Sequence, residues 1–344
     1  MKQQIETLRG FACVLLVLYH VIGADPAGGL QVTEGPIRWG NDTLAYLRMP
    51  LFTFLSGLVY GLKPFTGDSN RFLRGKVRRL LLPMLVVGTL FAVLQNLVPG
   101  THAEAYNWWR LHLEPVAHFW FLESLFWVFL VVWLLELARV MNTRIGMVMT
   151  CMVAGLVYVW APKGWYMFSI EGAFYLLPYF MVGLAITRLN LQPWLRRPAI
   201  LMVLCLLAWS AATHLGALGF GTDRRTLWVL VMGVMLCALC LVPSWEWRWL
   251  ARIGTASYAI YLFHVFFTAA TRIVLHRVGV DVLPLHLTLG LLMGVAGPVL
   301  VNQLALRNRW SALLLLGKAL PLSQQAIPVR TNACRTTQTD EHLG

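Results

Sequence analysis

Long apolar runs are the feature that most constrains how this chain can fold. Hydrophobic residues make up 58% of its 344 residues and charged residues 12%, which is typical of a membrane protein and excludes a soluble one. Ten runs are long enough, or nearly so, to cross a hydrocarbon core about 30 Å thick. They lie near residues 5–24, 44–62, 79–98, 119–138, 145–161, 171–187, 199–215, 226–243, 256–275 and 284–306. We predict an all-α, polytopic bundle of about ten transmembrane helices over residues 1–320, followed by a polar, disordered tail over 321–344.

The basic residues predict the orientation of this bundle. The side that holds the N-terminus, the loop 63–79 and the tail carries 20 of the 28 Lys and Arg residues, so the positive-inside rule puts both termini in the cytoplasm. The same rule explains the net charge of +13 without a nucleic-acid partner. The alternative for the first run is a cleaved signal peptide ending at Gly23-Ala24. Glu6 and Arg9 argue against it, and cleavage would leave an odd number of spans.

The first run, RGFACVLLVLYH, begins with Arg9 and ends with His20. Eleven residues are close to three helical turns, so both side chains fall on one face, about 16 Å apart along the axis. Ionisable groups are costly in hydrocarbon and usually face a bundle interior or a pathway. With the N-terminus in the cytoplasm, Arg9 lies near the cytosolic end and His20 lies in the outer half of the membrane.

A second candidate is Glu123, in the run HFWFLESLF. This helix runs inward from the outer face, so Glu123 should lie at a depth comparable to that of His20. A carboxylate there can orient the imidazole or act as a second acid or base. The alternative is that Glu123 pairs with Arg48 or belongs to a structural network.

A basic cluster in the segment RFLRGKVRRLLLP leads into the third run and includes Lys76, Arg78 and Arg79. Such clusters are an ordinary topology signal. Guanidinium groups beside Arg9 at the cytosolic mouth would equally suit phosphates, which predicts a nucleotide-bearing donor entering from the cytoplasm.

Two further motifs favour structural roles. In MPLFTFLSG, Gly57 predicts a close helix contact, and nothing around Ser56 indicates a serine nucleophile. In SYAIYLFHV, we interpret His264 as a packing residue rather than a functional one.

These motifs together resemble the integral membrane acyltransferase-3 family, the bacterial O-acyltransferases that modify cell-surface polysaccharides and other acceptors. The resemblance covers most of residues 1–320 and rests on five ordered elements: the Arg9–His20 pattern, MPLFTFLSG, KVRRLLLP, HFWFLESLF and SYAIYLFHV. It implies ten membrane helices in the inner (cytoplasmic) membrane and essential roles for Arg9, His20, Arg78 and Arg79. It also implies an acyl-CoA donor, usually acetyl-CoA, on the cytosolic side. The acceptor hydroxyl, on a carbohydrate or lipid-linked glycan, is reached from the other side.

The residues suit this chemistry. Acyl transfer to a hydroxyl needs a base, for which we predict His20 with Glu123 as its partner, and donors that stabilise an oxyanion. Arg9, Lys76, Arg78 and Arg79 would bind the donor. No metal is expected, and the expected partners are acyl-CoA, the acceptor, membrane lipid and polysaccharide-assembly proteins. Direct transfer and an acyl-histidine intermediate both remain open. The alternative function is a secondary transporter or glycan flippase in which Arg9, His20 and Glu123 form a substrate or proton path.

Overall fold

The computed structural model describes residues 2–25, 28–99, 106–214 and 225–319, and throughout these ranges the regular elements are helices, with no strand. A five-residue π-helix, Val77–Leu81, joins α3 to α4. The α-helices are α1 (Lys2–Ile22), α2 (Pro36–Leu62), α3 (Ser69–Lys76), α4 (Leu82–Leu97), α5 (Trp120–Leu137), α6 (Arg144–Trp160), α7 (Ile170–Arg188), α8 (Ala199–His214), α9 (Leu227–Leu239), α10 (Arg248–Thr255), α11 (Ser257–Arg277), α12 (Leu283–Ala305) and α13 (Arg309–Leu316).

Each of the ten apolar runs overlaps one of the longer helices, so the all-α prediction is confirmed for the described residues. Six helical segments of this part of the chain are long and apolar enough to cross a membrane: Lys2–Ile22, Ser69–Leu97, Ala117–Leu137, Met167–Arg188, Ser257–Arg277 and Leu283–Ala305. Three shorter helices are also apolar: Arg144–Trp160, Ala199–Ala212 and Leu227–Leu239. These helices point to a multi-pass membrane protein. The count of ten crossings and the cytoplasmic termini stay predictions, and the predicted tail, 321–344, lies outside the described residues.

Helices α2 and α7 pack with almost no space between their backbones. A methyl group added at Gly57 would lie 2.0 Å from the carbonyl oxygen of Phe180, and one added at Gly183 would lie 2.1 Å from that of Phe54. Because no side chain fits at either position, the two glycines set the distance between the helices. The close contact predicted for Gly57 is confirmed.

Helix α1 occupies the interior of the bundle, where it packs against α2, α10, α11 and α12. Its contact with α10 repeats the reciprocal glycine arrangement. A methyl group at Gly10 would lie 2.0 Å from the Leu250 carbonyl oxygen, and one at Gly254 would lie 1.8 Å from that of Glu6. The helix that carries both Arg9 and His20 is therefore held on several sides.

Candidate functional site

Arg9 and His20 lie on one uninterrupted helix, as their spacing predicts. Helix α1 runs from Lys2 to Ile22, so the two residues are separated by about 16 Å of axial rise at 1.5 Å per residue. His20 is near the C-terminal end of α1, and Arg9 is two turns from its N-terminal end. The two side chains therefore belong to two different regions of the molecule.

The imidazole of His20 is grouped with two other histidines that come from different helices. The ring centroids of His20 and His264 are 4.8 Å apart, those of His20 and His118 are 5.8 Å apart, and those of His118 and His264 are 5.0 Å apart. We call His20, His118 and His264 the histidine cluster. His118 and His264 are both buried, with 7% and 0% of their surface exposed, while His20 is partly exposed.

Hydrogen bonds determine which nitrogen of His264 carries a proton. Its Nδ1 lies 2.8 Å from the carbonyl oxygen of Ile260 and 2.9 Å from that of Tyr261. A carbonyl can only accept a hydrogen bond, so Nδ1 is the protonated nitrogen and Nε2 of the neutral ring has a lone pair. No described residue hydrogen-bonds to this buried Nε2. Nε2 of His264 is therefore a hydrogen-bond acceptor that receives no hydrogen bond from the described residues, and its ring lies next to that of His20.

His118 is oriented through its backbone. The hydroxyl of Tyr261 donates a hydrogen bond to the His118 carbonyl oxygen, and the ring centroids of these two residues are 5.5 Å apart. Tyr261 thus joins the segment just before α5 to α11, which also carries His264. The histidine cluster depends on this contact between two helices that are distant in sequence.

A cavity of about 750 Å³ opens beside the cluster and is lined by both His20 and His118. Its other charged or ionisable lining residues are Arg48, Arg272, Tyr19, Tyr261 and His286, and no Asp or Glu is among the described residues that line it. The guanidinium of Arg48 lies 4.1 Å from the centre of the Tyr19 ring and donates to the backbone of Asn41. The cavity is therefore apolar with a positive bias.

The position of this cavity along the bundle is clear from its lining. From α1 it includes Leu16 and residues beyond, from α4 the last two turns, and from α12 the first two turns. Arg9, Lys76, Arg78 and Arg79 do not line it. The cavity thus lies at the end of the bundle opposite the N-terminus, which is the outer side in the predicted orientation.

Arg78 and Arg79 lie at the other end, within the π-helix Val77–Leu81. Short π-helical segments are rare and often occur at functional sites. The Nε of Arg78 donates to the carbonyl oxygen of Gly317, 3.2 Å away. The hydroxyl of Tyr258 donates to the carbonyl oxygen of Arg79. The side chain of Arg79 is exposed and so is accessible to a ligand.

The part of α1 that carries Arg9 and the segment that carries Arg79 both contact the N-terminal end of α11. Cys13, one turn after Arg9 on α1, lies with its Sγ 3.9 Å from the carbonyl oxygen of Ser257. The next residue, Tyr258, contacts Arg79. The guanidinium of Arg9 forms an ion pair with Glu6 at 3.4 Å and keeps 30% of its surface exposed. The N-terminal end of α11 therefore contacts both segments that carry these arginines, and the predicted grouping of Arg9 with Arg78 and Arg79 stays a prediction.

The ammonium group of Lys76 is surrounded by aromatic rings, whereas a lysine that binds phosphate usually has its ammonium group open to the ligand. Its Nζ lies 3.2 Å from the centre of the Phe129 ring and 5.1 Å from that of Phe72, and the Tyr60 ring is 5.9 Å away. This is a cation–π arrangement. It fixes the ammonium group among aromatic rings, so its predicted role in donor binding rests on the sequence alone.

Glu123 is buried, but it does not line the cavity. Its Oε2 accepts a hydrogen bond of 2.6 Å from the hydroxyl of Ser169, and the hydroxyl of Ser124 donates to the Ser169 carbonyl oxygen at 2.7 Å. Ser169 and Phe168 both have positive φ, at 50° and 54°, a conformation that costs energy for residues other than glycine. Glu123 thus anchors the strained turn that begins α7. The contact predicted between Glu123 and His20 is not among those of the described residues.

Two members of the histidine cluster did not follow from the sequence. His264 was interpreted as a packing residue, and its ring lies against His20. His118 was not singled out, although it begins the motif HFWFLESLF. The sequence did contain a signal for His118. This histidine directly precedes an apolar run and should lie at a depth close to that predicted for His20.

Comparison with known proteins gives a family. No curated protein and no solved structure matches the chain significantly. The family model described as an acyltransferase domain, that of the acyltransferase-3 family, matches residues 2–303. The match includes Arg9, the π-helix and all three histidines of the cluster. Since it covers most of the chain, the protein belongs to the acyltransferase-3 family.

Proposed function

We propose that this membrane acyltransferase moves an acyl group, most simply acetyl, from cytosolic acyl-CoA to a hydroxyl group of an extracytoplasmic acceptor. The acceptor is a carbohydrate or a lipid-linked glycan, and the membrane is the inner membrane. The observation that carries the proposal is the arrangement along α1. Arg9, which is partly exposed, lies toward one end of α1, and the exposed Arg79 lies at the same end of the bundle. At the other end of α1, the imidazole of His20 lies beside a large cavity.

The arginine end is suited to the phosphates of the donor. Arg9 and Arg79 are both accessible, and guanidinium groups bind phosphate oxygens with charge-assisted hydrogen bonds. Arg78, next to Arg79 in the sequence, adds positive charge to this end of the bundle. Its Nε already donates a hydrogen bond to the carbonyl oxygen of Gly317. With the nucleotide held there, the long flexible arm of CoA would extend along α1 and bring the thioester toward His20.

At the histidine end, His20 would act as the general base. Its free nitrogen takes the proton of the acceptor hydroxyl as the hydroxyl oxygen attacks the thioester carbonyl carbon. The new carbon–oxygen bond forms, the carbon–sulfur bond breaks, and the proton passes to the departing CoA thiolate. Arg48 is a cation lining the cavity that can stabilise negative charge on the carbonyl oxygen. An acyl-histidine intermediate on His20 is the alternative course.

His264 would act as a positioning residue for His20. Its Nδ1 is bound to backbone carbonyls, so its Nε2 can accept a hydrogen bond from the protonated nitrogen of His20. That contact would leave the other His20 nitrogen free as the base, which is the orientation role of the third group in a catalytic triad. Glu123 can act on the reaction indirectly, because the turn that it anchors packs beside the start of α5.

The test is acyl transfer by the purified full-length protein in proteoliposomes, measured as thiol release from acetyl-CoA. We expect His20→Ala to reduce the rate by a factor of about 10² to 10⁴, the usual contribution of a general base. His112→Ala is the matched control, because His112 is a loop histidine bound to Thr89 and does not line the cavity. If His20→Ala keeps the wild-type rate while movement of a glycan across the membrane is lost, the transporter alternative is correct instead.

A further inference from the structure

The short connection between α11 and α12 brings together three side chains that can bind a metal ion. His276 lies in the last turn of α11, Asp281 in the connection and His286 in the first turn of α12. Each offers one ligand atom, and these atoms all lie within 4.8 Å of one another. The centroids of the two imidazole rings are 4.9 Å apart. The function proposed above uses none of these residues.

The hydrogen bond of His286 favours the tautomer that a metal ligand needs. Its Nε2 lies 2.6 Å from the carbonyl oxygen of Val280, so Nε2 carries the proton and Nδ1 of the neutral ring has the lone pair. A histidine that binds a metal typically donates its other N–H to such a carbonyl, which orients the ring. The residue is 4% exposed, and its Nδ1 is buried with no hydrogen-bond partner among the described residues. A buried acceptor without a partner is costly, and a metal ion would satisfy it.

His276 and Asp281 have the spacing of adjacent ligands. The His276 Nδ1 and the Asp281 Oδ1 are 3.0 Å apart. Two ligand atoms each about 2.0–2.1 Å from a tetrahedral Zn²⁺ lie about 3.4 Å apart. Both side chains are exposed, 56% and 78% respectively, so they are free to move the short distance toward His286 that a shared ion requires. A hydrogen bond between His276 and Asp281 would account for the short distance between these two side chains. It would not account for the buried Nδ1 of His286, which has no hydrogen-bond partner among the described residues.

We propose that His276, Asp281 and His286 bind one divalent transition-metal ion, with Zn²⁺ as the best match. Two imidazoles and one carboxylate form a nitrogen and oxygen donor set that suits Zn²⁺ better than Mg²⁺ or Ca²⁺, which prefer oxygen. Three protein ligands leave the fourth tetrahedral position open to water or a substrate atom. From the sequence we predicted no metal, and we did not single out His276, Asp281 or His286.

The site adjoins the cavity that contains His20. His286 itself lines that cavity, so the ion lies at its outer end. There it holds the end of α11 and the start of α12 together. Both helices line the cavity, and the ion therefore stabilises the wall on which an acceptor rests. This consequence follows whether or not His20 performs the acyl transfer.

The experiment is equilibrium Zn²⁺ binding by the full-length protein in detergent, with no polyhistidine tag and after removal of metals with a chelator. We expect one Zn²⁺ per chain and a higher thermal unfolding temperature when Zn²⁺ is present. Asp281→Asn and His286→Ala should each weaken binding by about 100-fold or more. Asp281 is exposed, so Asp281→Asn leaves the fold intact even if His286→Ala does not.

Two control variants identify the site. His112→Ala and His20→Ala should both bind Zn²⁺ as the wild type does, since the first is a loop histidine and the second belongs to the histidine cluster. Wild-type binding by Asp281→Asn and His286→Ala, or loss of binding in His20→Ala alone, would overturn the proposal. So would the absence of Zn²⁺ binding by the wild-type protein. None of these outcomes depends on acyl transfer, so they leave the proposed function to be tested separately.

Discussion

Among the individual residues, His264 best distinguishes a catalytic role of the histidine cluster from simple packing. It is completely buried, its Nδ1 is committed to backbone carbonyls and its ring is next to that of His20. If it only filled space, any side chain of similar size would replace it. If it orients His20, the replacement must also supply a hydrogen-bond acceptor at the right place.

We expect His264→Ala to lower kcat about 100-fold and to leave the KM for acetyl-CoA within about twofold of the wild type, because the donor binds elsewhere. His264→Asn should recover part of this loss, since its amide can donate to the Ile260 carbonyl and accept a hydrogen bond from His20. Kinetics of both variants, with thermal unfolding measured alongside, provide the comparison.

The pH profile gives a readout that packing alone does not change. Loss of the partner of His20 should shift the pH dependence of kcat in His264→Ala relative to the wild type. An unchanged kcat and pH profile in a folded His264→Ala protein would show that His264 has a packing role only.

Among the elements, the paired glycines of α2 and α7 determine how closely the helices of the bundle approach. Gly57→Ala would place a methyl group 2.0 Å from a backbone oxygen, a contact that neither helix can relieve by rotating a side chain. Overpacking of this kind costs about 1–3 kcal/mol. We therefore expect a clearly lower thermal unfolding temperature in detergent for Gly57→Ala.

Gly75→Ala is the matched control for this change, since Gly75 is also a helical glycine and an added methyl group there has no atom within 4 Å. Alanine is favoured over glycine in a helix by up to about 1 kcal/mol, so this variant should be as stable as the wild type or more so. Equal stability of Gly57→Ala and Gly75→Ala would contradict the close α2–α7 contact.

For the molecule as a whole, sequence reasoning succeeded where the information is local. Each apolar run proved helical, and Arg9 and His20 share one helix, because periodicity and spacing act within a single segment. The histidine cluster was not predictable in this way. It requires α1, the segment just before α5 and α11 to meet, which depends on tertiary packing.

The prediction for Glu123 shows the same limit in a single residue. The depth of Glu123 in the membrane could be estimated by counting residues, but the direction in which its side chain points could not. Glu123 follows His118 by five residues, which on a helix turns the side chain by about 140°. His118 faces the cavity, so Glu123 faces the strained turn at Ser169 instead. The π-helix at Arg78 and Arg79 likewise has no sequence signature that we could read.

We propose that one end of α1 binds the donor and that the other end carries out the reaction. The most direct test of this proposal is equilibrium binding of acetyl-CoA to full-length variants in detergent, with transfer measured on the same samples. Arg79→Ala should weaken binding by about 10-fold to 100-fold, as expected for loss of a charge-assisted hydrogen bond. Arg74→Ala removes another exposed arginine, three residues before the π-helix begins, and this variant should bind acetyl-CoA normally. His20→Ala should bind acetyl-CoA with wild-type affinity and transfer nothing measurable. Loss of acetyl-CoA binding in His20→Ala, or undiminished binding in Arg79→Ala, would contradict this division of roles along α1.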